Sequence, residues 1–62
     1  MAYNIKKIRE EKKMTQEQLS KSSGVSRTTI IKLENNEDAE VQVGTLKALA
    51  NALSVSVSEL FG

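Results

Sequence analysis

The side chains in this chain of 62 residues that could do chemistry are mainly cations, amides and hydroxyls. The sequence contains no Cys and no His, so it offers neither a thiolate or imidazole ligand for a metal ion nor a histidine general base. Instead, Arg27, Thr28 and Lys32 have the spacing of one helix face, which they share with Ile31. Such side chains bind through charge and hydrogen bonds. We therefore predict a binding protein that is not an enzyme and has no catalytic residues, no cofactor and no metal site.

The distribution of charge points the same way. Residues 1–33 carry eight Lys or Arg side chains against three Glu, whereas residues 34–62 carry one Lys against five acidic side chains. A basic half is typical of a protein that binds a polyanion. An uneven but merely solvated surface is the alternative reading of the charge alone.

The composition predicts one small globular domain over residues 1–62. Hydrophobic residues make up 39% of the chain and charged residues 27%, which separates it from disordered proteins. No apolar run approaches the roughly 20 residues of a membrane span. The N-terminal residues lead into a charged segment without the apolar stretch of a signal peptide, so we expect a cytoplasmic protein with no membrane partner.

Two short helices must position the polar residues named above. Thr15 and Gln18 have the spacing of a capping box, which predicts the start of a second helix. Gly24 stands where the end of that helix needs a residue with positive φ. Ser26 is a good N-cap, so a third helix is predicted to begin at Arg27.

Helical periodicity also predicts elements on either side of this pair. A first helix would be capped by Asn4 and would end near Lys13. A fourth would begin between Val43 and Thr45, and a capping box at Ser56 would open a short fifth helix. The residues expected on the inner faces are Ile5, Ile8, Leu19, Ile30, Leu33, Leu46, Leu49, Ala50 and Leu53.

The second and third helices together have the features of a helix-turn-helix. Ser20 supplies the small side chain needed where the helices cross, and Gly24 supplies the turn. Leu19, Ile30 and Leu33 would pin the pair to the core. The outward face of the third helix, which could reach base edges, then consists of Arg27, Thr28, Ile31 and Lys32.

Residues 16–35 resemble the helix-turn-helix of the lambda and 434 repressors and the Cro proteins. Residues 45–53, Thr-Leu-Lys-Ala-Leu-Ala-Asn-Ala-Leu, and residues 55–61, Val-Ser-Val-Ser-Glu-Leu-Phe, are similar to the fourth and fifth helices of that family. The resemblance implies an all-α fold of five helices in which helices 2 and 3 form the helix-turn-helix. It also implies a sequence-specific transcriptional regulator whose partner is a double-stranded DNA operator.

The resemblance further implies roles for single residues. Gln16 would contact a DNA phosphate at the start of the second helix, with Thr15 and Asn35 as further phosphate contacts. Arg9 and Glu34 match a structural salt bridge between the first and third helices. The residues implied to read bases, including an arginine suited to guanine, are Ser26, Arg27, Thr28, Ile31 and Lys32.

A homodimer is also expected, because one recognition helix reads only a few base pairs. Specificity then needs two half-sites about 34 Å apart. In the family that this chain resembles, the C-terminal helices form the dimer interface, which here corresponds to Val55, Val57, Leu60 and Phe61. We expect Val57 and Leu60 to be mostly intrachain, so Val55 and Phe61 are the better candidates.

Two features depart from the family pattern. The loop at residues 36–40 contains Glu37, Asp38 and Glu40, whose charges would oppose binding near phosphates. The loop therefore either turns away from DNA, weakens binding, or recruits a protein partner. Ile31 is apolar on an outward face, where it either packs on a thymine methyl group or is a tolerated exposed residue.

Several functions remain open on the sequence alone. The leading one is a homodimeric repressor of phage, plasmid or mobile-element type. An antitoxin or a restriction–modification controller would use the same helix to bind DNA. A protein-interaction module that has lost DNA binding is a different class, and the acidic loop is the feature in its favour. An enzyme is disfavoured because no spacing pairs the remaining polar groups in a cleft.

Overall fold

The computed structural model describes residues 3–35 and 41–61, and the acidic loop at 36–40 lies outside these ranges. Four α-helices and one turn of 3₁₀-helix follow one another along the described chain. An isolated antiparallel β-bridge pairs Tyr3 with Phe61. The elements are α1 (Ile5–Glu11), α2 (Gln16–Ser23), α3 (Arg27–Glu34), α4 (Val43–Leu53) and the 3₁₀ turn Val57–Leu60.

The local signals around the helix-turn-helix are confirmed. Thr15 Oγ1 accepts from the Gln18 backbone N–H at 3.0 Å, and the Gln18 side chain accepts from the Thr15 N–H at 2.8 Å, which completes the capping box. Gly24 takes a left-handed conformation with φ of 75°. The Ser26 hydroxyl accepts from the Thr29 N–H at 3.2 Å, so α3 begins as predicted.

The ends of the chain correct two predictions. Asn4 precedes α1, but its φ of −88° and ψ of 18° lie outside the extended region of an N-cap, and its side chain forms no cap bond. The capping box at Ser56 is wrong, because the Ser56 hydroxyl pairs with the Ser58 hydroxyl at 3.0 Å and caps no backbone N–H. The predicted fifth helix is accordingly a single 3₁₀ turn, from which the chain enters the β-bridge at Phe61.

The start of α4 and the end of α1 lie close to their predicted positions. Helix α4 begins at Val43, within the predicted range. Helix α1 ends at Glu11, and Lys13 in the turn that follows has a positive φ of 57°.

A single apolar core joins the helices. Every residue expected on an inner face is buried, and Leu60 of the 3₁₀ turn joins them. Leu19 of α2, Ile30 of α3 and Leu49 of α4 have no exposed surface. Because burying one such side chain contributes roughly 1.5–3 kcal/mol, these side chains hold α2 against both α3 and α4.

A terminal clasp, formed by residues 3–4 and 60–61, holds the two ends of the described chain together. The Asn4 N–H donates to the Leu60 carbonyl at 2.7 Å, and the Asn4 side-chain amide donates to the Phe61 carbonyl at 3.3 Å. The ring centroids of Tyr3 and Phe61 lie 5.5 Å apart, and the two ring planes are inclined at 42° to each other. The clasp ties the start of α1 to the end of the 3₁₀ turn.

Within the described residues, no helix has the length and apolar character required to cross a bilayer.

Candidate nucleic-acid interface

Helix α3 presents a polar face opposite its core face. Ile30 and Leu33 are buried, whereas Arg27, Thr28 and Lys32 are exposed. The burial of one side of α3 fixes the direction in which the other side points, so these three side chains stand together on the surface of the domain.

Ile31, on the same helix, is half-buried rather than fully exposed. It is not among the apolar residues that pack against the core. A partly open apolar side chain therefore lies among the exposed polar residues of α3.

The Ser26 hydroxyl is largely committed to capping α3. Besides accepting from the Thr29 N–H, it lies 2.8 Å from the Thr29 hydroxyl oxygen in a further hydrogen bond. Ser26 is nonetheless exposed at the helix start. The sequence analysis did not assign a part to Thr29, although its position three residues after Ser26 is the spacing that also links Thr15 with Gln18.

A polar junction, formed by Arg9, Met14, Gln16 and Glu34, ties α1, α2 and α3 together. Arg9 Nε donates to Glu34 Oε2 at 2.7 Å and Arg9 Nη2 donates to Oε1 at 3.2 Å. Arg9 Nη1 donates to the Met14 carbonyl at 2.7 Å. The predicted ion pair is therefore present in a bidentate form. The bond from Arg9 to the Met14 carbonyl also fixes the turn before α2.

The junction is largely withdrawn from solvent. The side chain of Glu34 is 2% exposed and that of Arg9 is 11% exposed. The hydrogen bond with Glu34 raises the pKa of Arg9 above its ordinary value, although burial alone would lower it. The guanidinium stays charged and neutralises the buried carboxylate.

Gln16 also belongs to the junction, which the sequence did not indicate. It is the first residue of α2, and its Nε2 donates to Glu34 Oε1 at 3.0 Å. Gln16 and Glu34 are 18 positions apart in the chain. No local pattern links two residues at that separation, and only the packing of α2 on α3 brings them together.

The start of α2 and the start of α3 share one shallow depression. Its lining includes Thr15, Gln16 and Arg27, and both Arg9 and Glu17 border it. The structure thus brings two of the predicted phosphate-contacting residues beside the first residue of α3. The third, Asn35, is exposed directly after α3, where its backbone N–H donates to the Ile31 carbonyl at 3.0 Å.

The apolar residues at the C-terminal end differ in exposure. Leu60 has no exposed surface and packs within its own chain. Val55 and Val57 are both half-buried, and both pack against the core. Phe61, 41% exposed, is the most exposed of the four. Among residues 3–35 and 41–61, no cluster of three or more acidic side chains is placed to hold a metal ion.

Comparison with known proteins identifies the family of the chain. The family described as Helix-turn-helix matches residues 5–60. The chain is 38% identical over 58 residues to the immunity repressor protein of Bacillus phage phi105. The match covers 94% of this chain but 40% of the phage protein, so the chain spans less than half the length of that relative. Because the family match runs from α1 through the 3₁₀ turn, the chain belongs to the helix-turn-helix family, in the type represented by the lambda and 434 repressors and the Cro proteins.

Proposed function

We propose that this protein is a transcriptional repressor that binds a palindromic operator as a homodimer and places α3 in the major groove. The observation that carries the proposal is the exposed polar face of α3, formed by Arg27, Thr28 and Lys32. The opposite face of α3 is buried in the core, so α3 can enter a DNA groove without loss of the packing within the domain. The similarity of this chain to an immunity repressor favours a repressor over other kinds of DNA-binding regulator.

In this proposal, Arg27 does most of the base reading. A guanidinium can donate two parallel hydrogen bonds to O6 and N7 of guanine, which discriminates against other bases by about 1–3 kcal/mol. Thr28 and Lys32 add hydrogen bonds to neighbouring base edges. The partly open side chain of Ile31 suits a thymine methyl group, and Ser26 contacts the DNA from the helix start.

Phosphate contacts would set the position of the recognition helix. Gln16 and Thr15 lie at the N-terminus of α2, where unpaired backbone N–H groups favour an anion. Asn35 would contribute a contact from the other end of α3. Such contacts fix the register on the duplex and carry no sequence information of their own.

Dimerisation would use Val55 and Phe61, with the exposed edge of Val57. Phe61 already packs on Tyr3 and is still 41% exposed. A second copy covering this edge would bury an aromatic ring and separate the two α3 helices by the spacing of two half-sites.

The test is fluorescence-anisotropy titration of the protein with DNA from upstream of its own gene and with a scrambled duplex, across a salt series. We expect preferential binding to the upstream DNA, with a log–log salt slope of several units. Arg27→Ala should weaken binding by about 1–3 kcal/mol and relax the preference at one base position.

Lys47→Ala is the matched control, because Lys47 is an exposed cation on α4 to which we assign no base contact. It should change affinity equally for both duplexes. Equal affinity of the unmodified chain for upstream and scrambled DNA at every salt concentration, together with no effect of Arg27→Ala on a selected operator, would contradict the proposal.

A further inference from the structure

We infer that Glu34 is a positioning residue for DNA binding: from inside the polar junction, its carboxylate fixes the orientation of the Gln16 amide at the N-terminus of α2. The inference rests on the proposed function and deepens it. It assigns to Glu34 a role in docking in addition to its ion pair with Arg9.

The chemistry of the contact determines which way the amide faces. A carboxylate only accepts hydrogen bonds, so the Gln16 side chain must turn its nitrogen toward Glu34 and not its oxygen. That bond is 3.0 Å long. The second N–H of the Gln16 amide takes no part in this bond, and the amide oxygen faces away from Glu34. No other hydrogen bond of this side chain occurs within the described part of the chain, and no unpartnered polar atom of a described side chain is buried. The Gln16 oxygen is therefore reached by solvent.

The carboxylate itself cannot turn away. Glu34 is held by two hydrogen bonds from Arg9, and Arg9 is anchored in turn on the Met14 carbonyl. Because the Glu34 side chain is 2% exposed, water does not compete for its oxygens. The amide is thus attached to a fixed acceptor on another helix, while most surface glutamines sample many rotamers.

Neutralisation by Arg9 makes this arrangement compatible with DNA. An uncompensated carboxylate one hydrogen bond away from Gln16 would repel a phosphate approaching the same amide. The bidentate pair cancels that charge, so Glu34 can orient Gln16 without opposing the polyanion.

An oriented amide binds more tightly because its rotamer freedom has been lost before DNA arrives. Immobilising a flexible side chain on binding corresponds to about a three- to tenfold change in affinity. Loss of the Glu34 contact should therefore weaken operator binding by about that factor, and only in a chain that still has the Gln16 amide.

The experiment is a double-mutant cycle of Glu34→Asp and Gln16→Ala, measured as operator affinity at a temperature where circular dichroism shows every variant folded. Glu34→Asp keeps a negative charge beside Arg9 but withdraws the carboxylate oxygens from Gln16 by one methylene. We expect it to weaken binding about three- to tenfold in the unmodified background and to have little further effect in the Gln16→Ala background. Glu11→Asp, at an exposed position at the end of α1, is the matched control and should leave affinity unchanged.

A second measurement needs no variant. Hydrogen exchange of side-chain amides, followed by NMR on the free protein, should show the Gln16 amide exchanging more slowly than that of exposed Gln42.

The outcomes separate the positioning role from the proposed function. An unmodified chain with no preference for operator DNA would defeat the proposed function, whatever the cycle shows. A chain that binds its operator but loses equal affinity on Glu34→Asp in both backgrounds would reduce Glu34 to a structural residue. Exchange at Gln16 as fast as at Gln42 would overturn the inference directly.

Discussion

The polar junction and the terminal clasp perform the same task with different chemistry. Both tie α1 to a distant part of the chain. The junction does so through the side chains of Arg9 and Glu34, which form an ion pair largely withdrawn from water, and through the half-buried amide of Gln16. The clasp uses the Asn4 backbone N–H, an isolated β-bridge and a pair of rings that are still partly exposed.

This difference determines how each region responds to substitution. A backbone hydrogen bond survives most changes of side chain, so the clasp should tolerate variation. A buried ion pair with a third partner depends on the identity of each member, because removal of one leaves the others buried and unpaired. In the role that we infer for Glu34, the junction would serve DNA docking as well as folding, and in the proposed dimer Phe61 of the clasp would serve assembly as well as folding.

The largest expected effect lies in the junction. Glu34→Ala would remove the acceptor of three hydrogen bonds and leave the Arg9 guanidinium, 11% exposed, without its counter-ion. We expect a loss of about 3 kcal/mol in the free energy of unfolding, a large share of the stability of a domain of this size. Urea denaturation followed by circular dichroism measures it. Glu59→Ala is the control at an exposed site, and a loss at Glu34 no greater than at Glu59 would remove the contrast between the regions.

A smaller effect is expected in the clasp. Tyr3→Ala would remove the ring contact with Phe61 but leave the backbone bond from Asn4 to Leu60 in place. Aromatic pairs contribute about 0.5–1.5 kcal/mol beyond their buried area, so we expect a loss of about 1–2 kcal/mol in unfolding free energy. The same urea titration measures it. A loss equal to that of Glu34→Ala would show that the clasp depends on side chains as strongly as the junction does.

The smallest expected effect is that of alkaline pH on the junction. The hydrogen bond with Glu34 raises the pKa of Arg9 in the folded chain above its value in the unfolded chain. The contribution of the pair to stability is then fully present below the unfolded pKa and is lost only as the pH rises through the folded pKa. Arginine titrates above about pH 12, so the difference in unfolding free energy between the unmodified chain and Glu34→Ala should be flat from about pH 7 to 10. A decline of that difference within this window would contradict the assigned role of Arg9.

Local sequence signals predicted most of the fold. The capping box at Thr15, the turn at Gly24 and the cap at Ser26 act between near neighbours, so their effect can be deduced from residue type and spacing alone. Helical periodicity likewise placed Leu19, Ile30 and Leu33 in the core. The predictions at Asn4 and Ser56 were wrong for different reasons: the Asn4 side chain donates to the distant Phe61 carbonyl, whereas the Ser56 hydroxyl pairs with that of its near neighbour Ser58.

The sequence predicted the candidate site less completely than the fold. It identified the outward face of α3, because amphipathic spacing fixes which residues share a face. It named Gln16 as a residue of the interface and Glu34 as the partner of Arg9, but it did not connect the two.

The sequence by itself therefore determined the four α-helices, the turn at Gly24, the buried faces and the family, since each follows from residue types at short spacing or from a pattern along the whole chain. Only the tertiary structure decided that Gln16 meets the carboxylate paired with Arg9, and that Tyr3 meets Phe61. These contacts join residues 18 and 58 positions apart, and their formation depends on the angles at which packed helices cross. No local preference encodes those angles, because they result from the packing of the whole core.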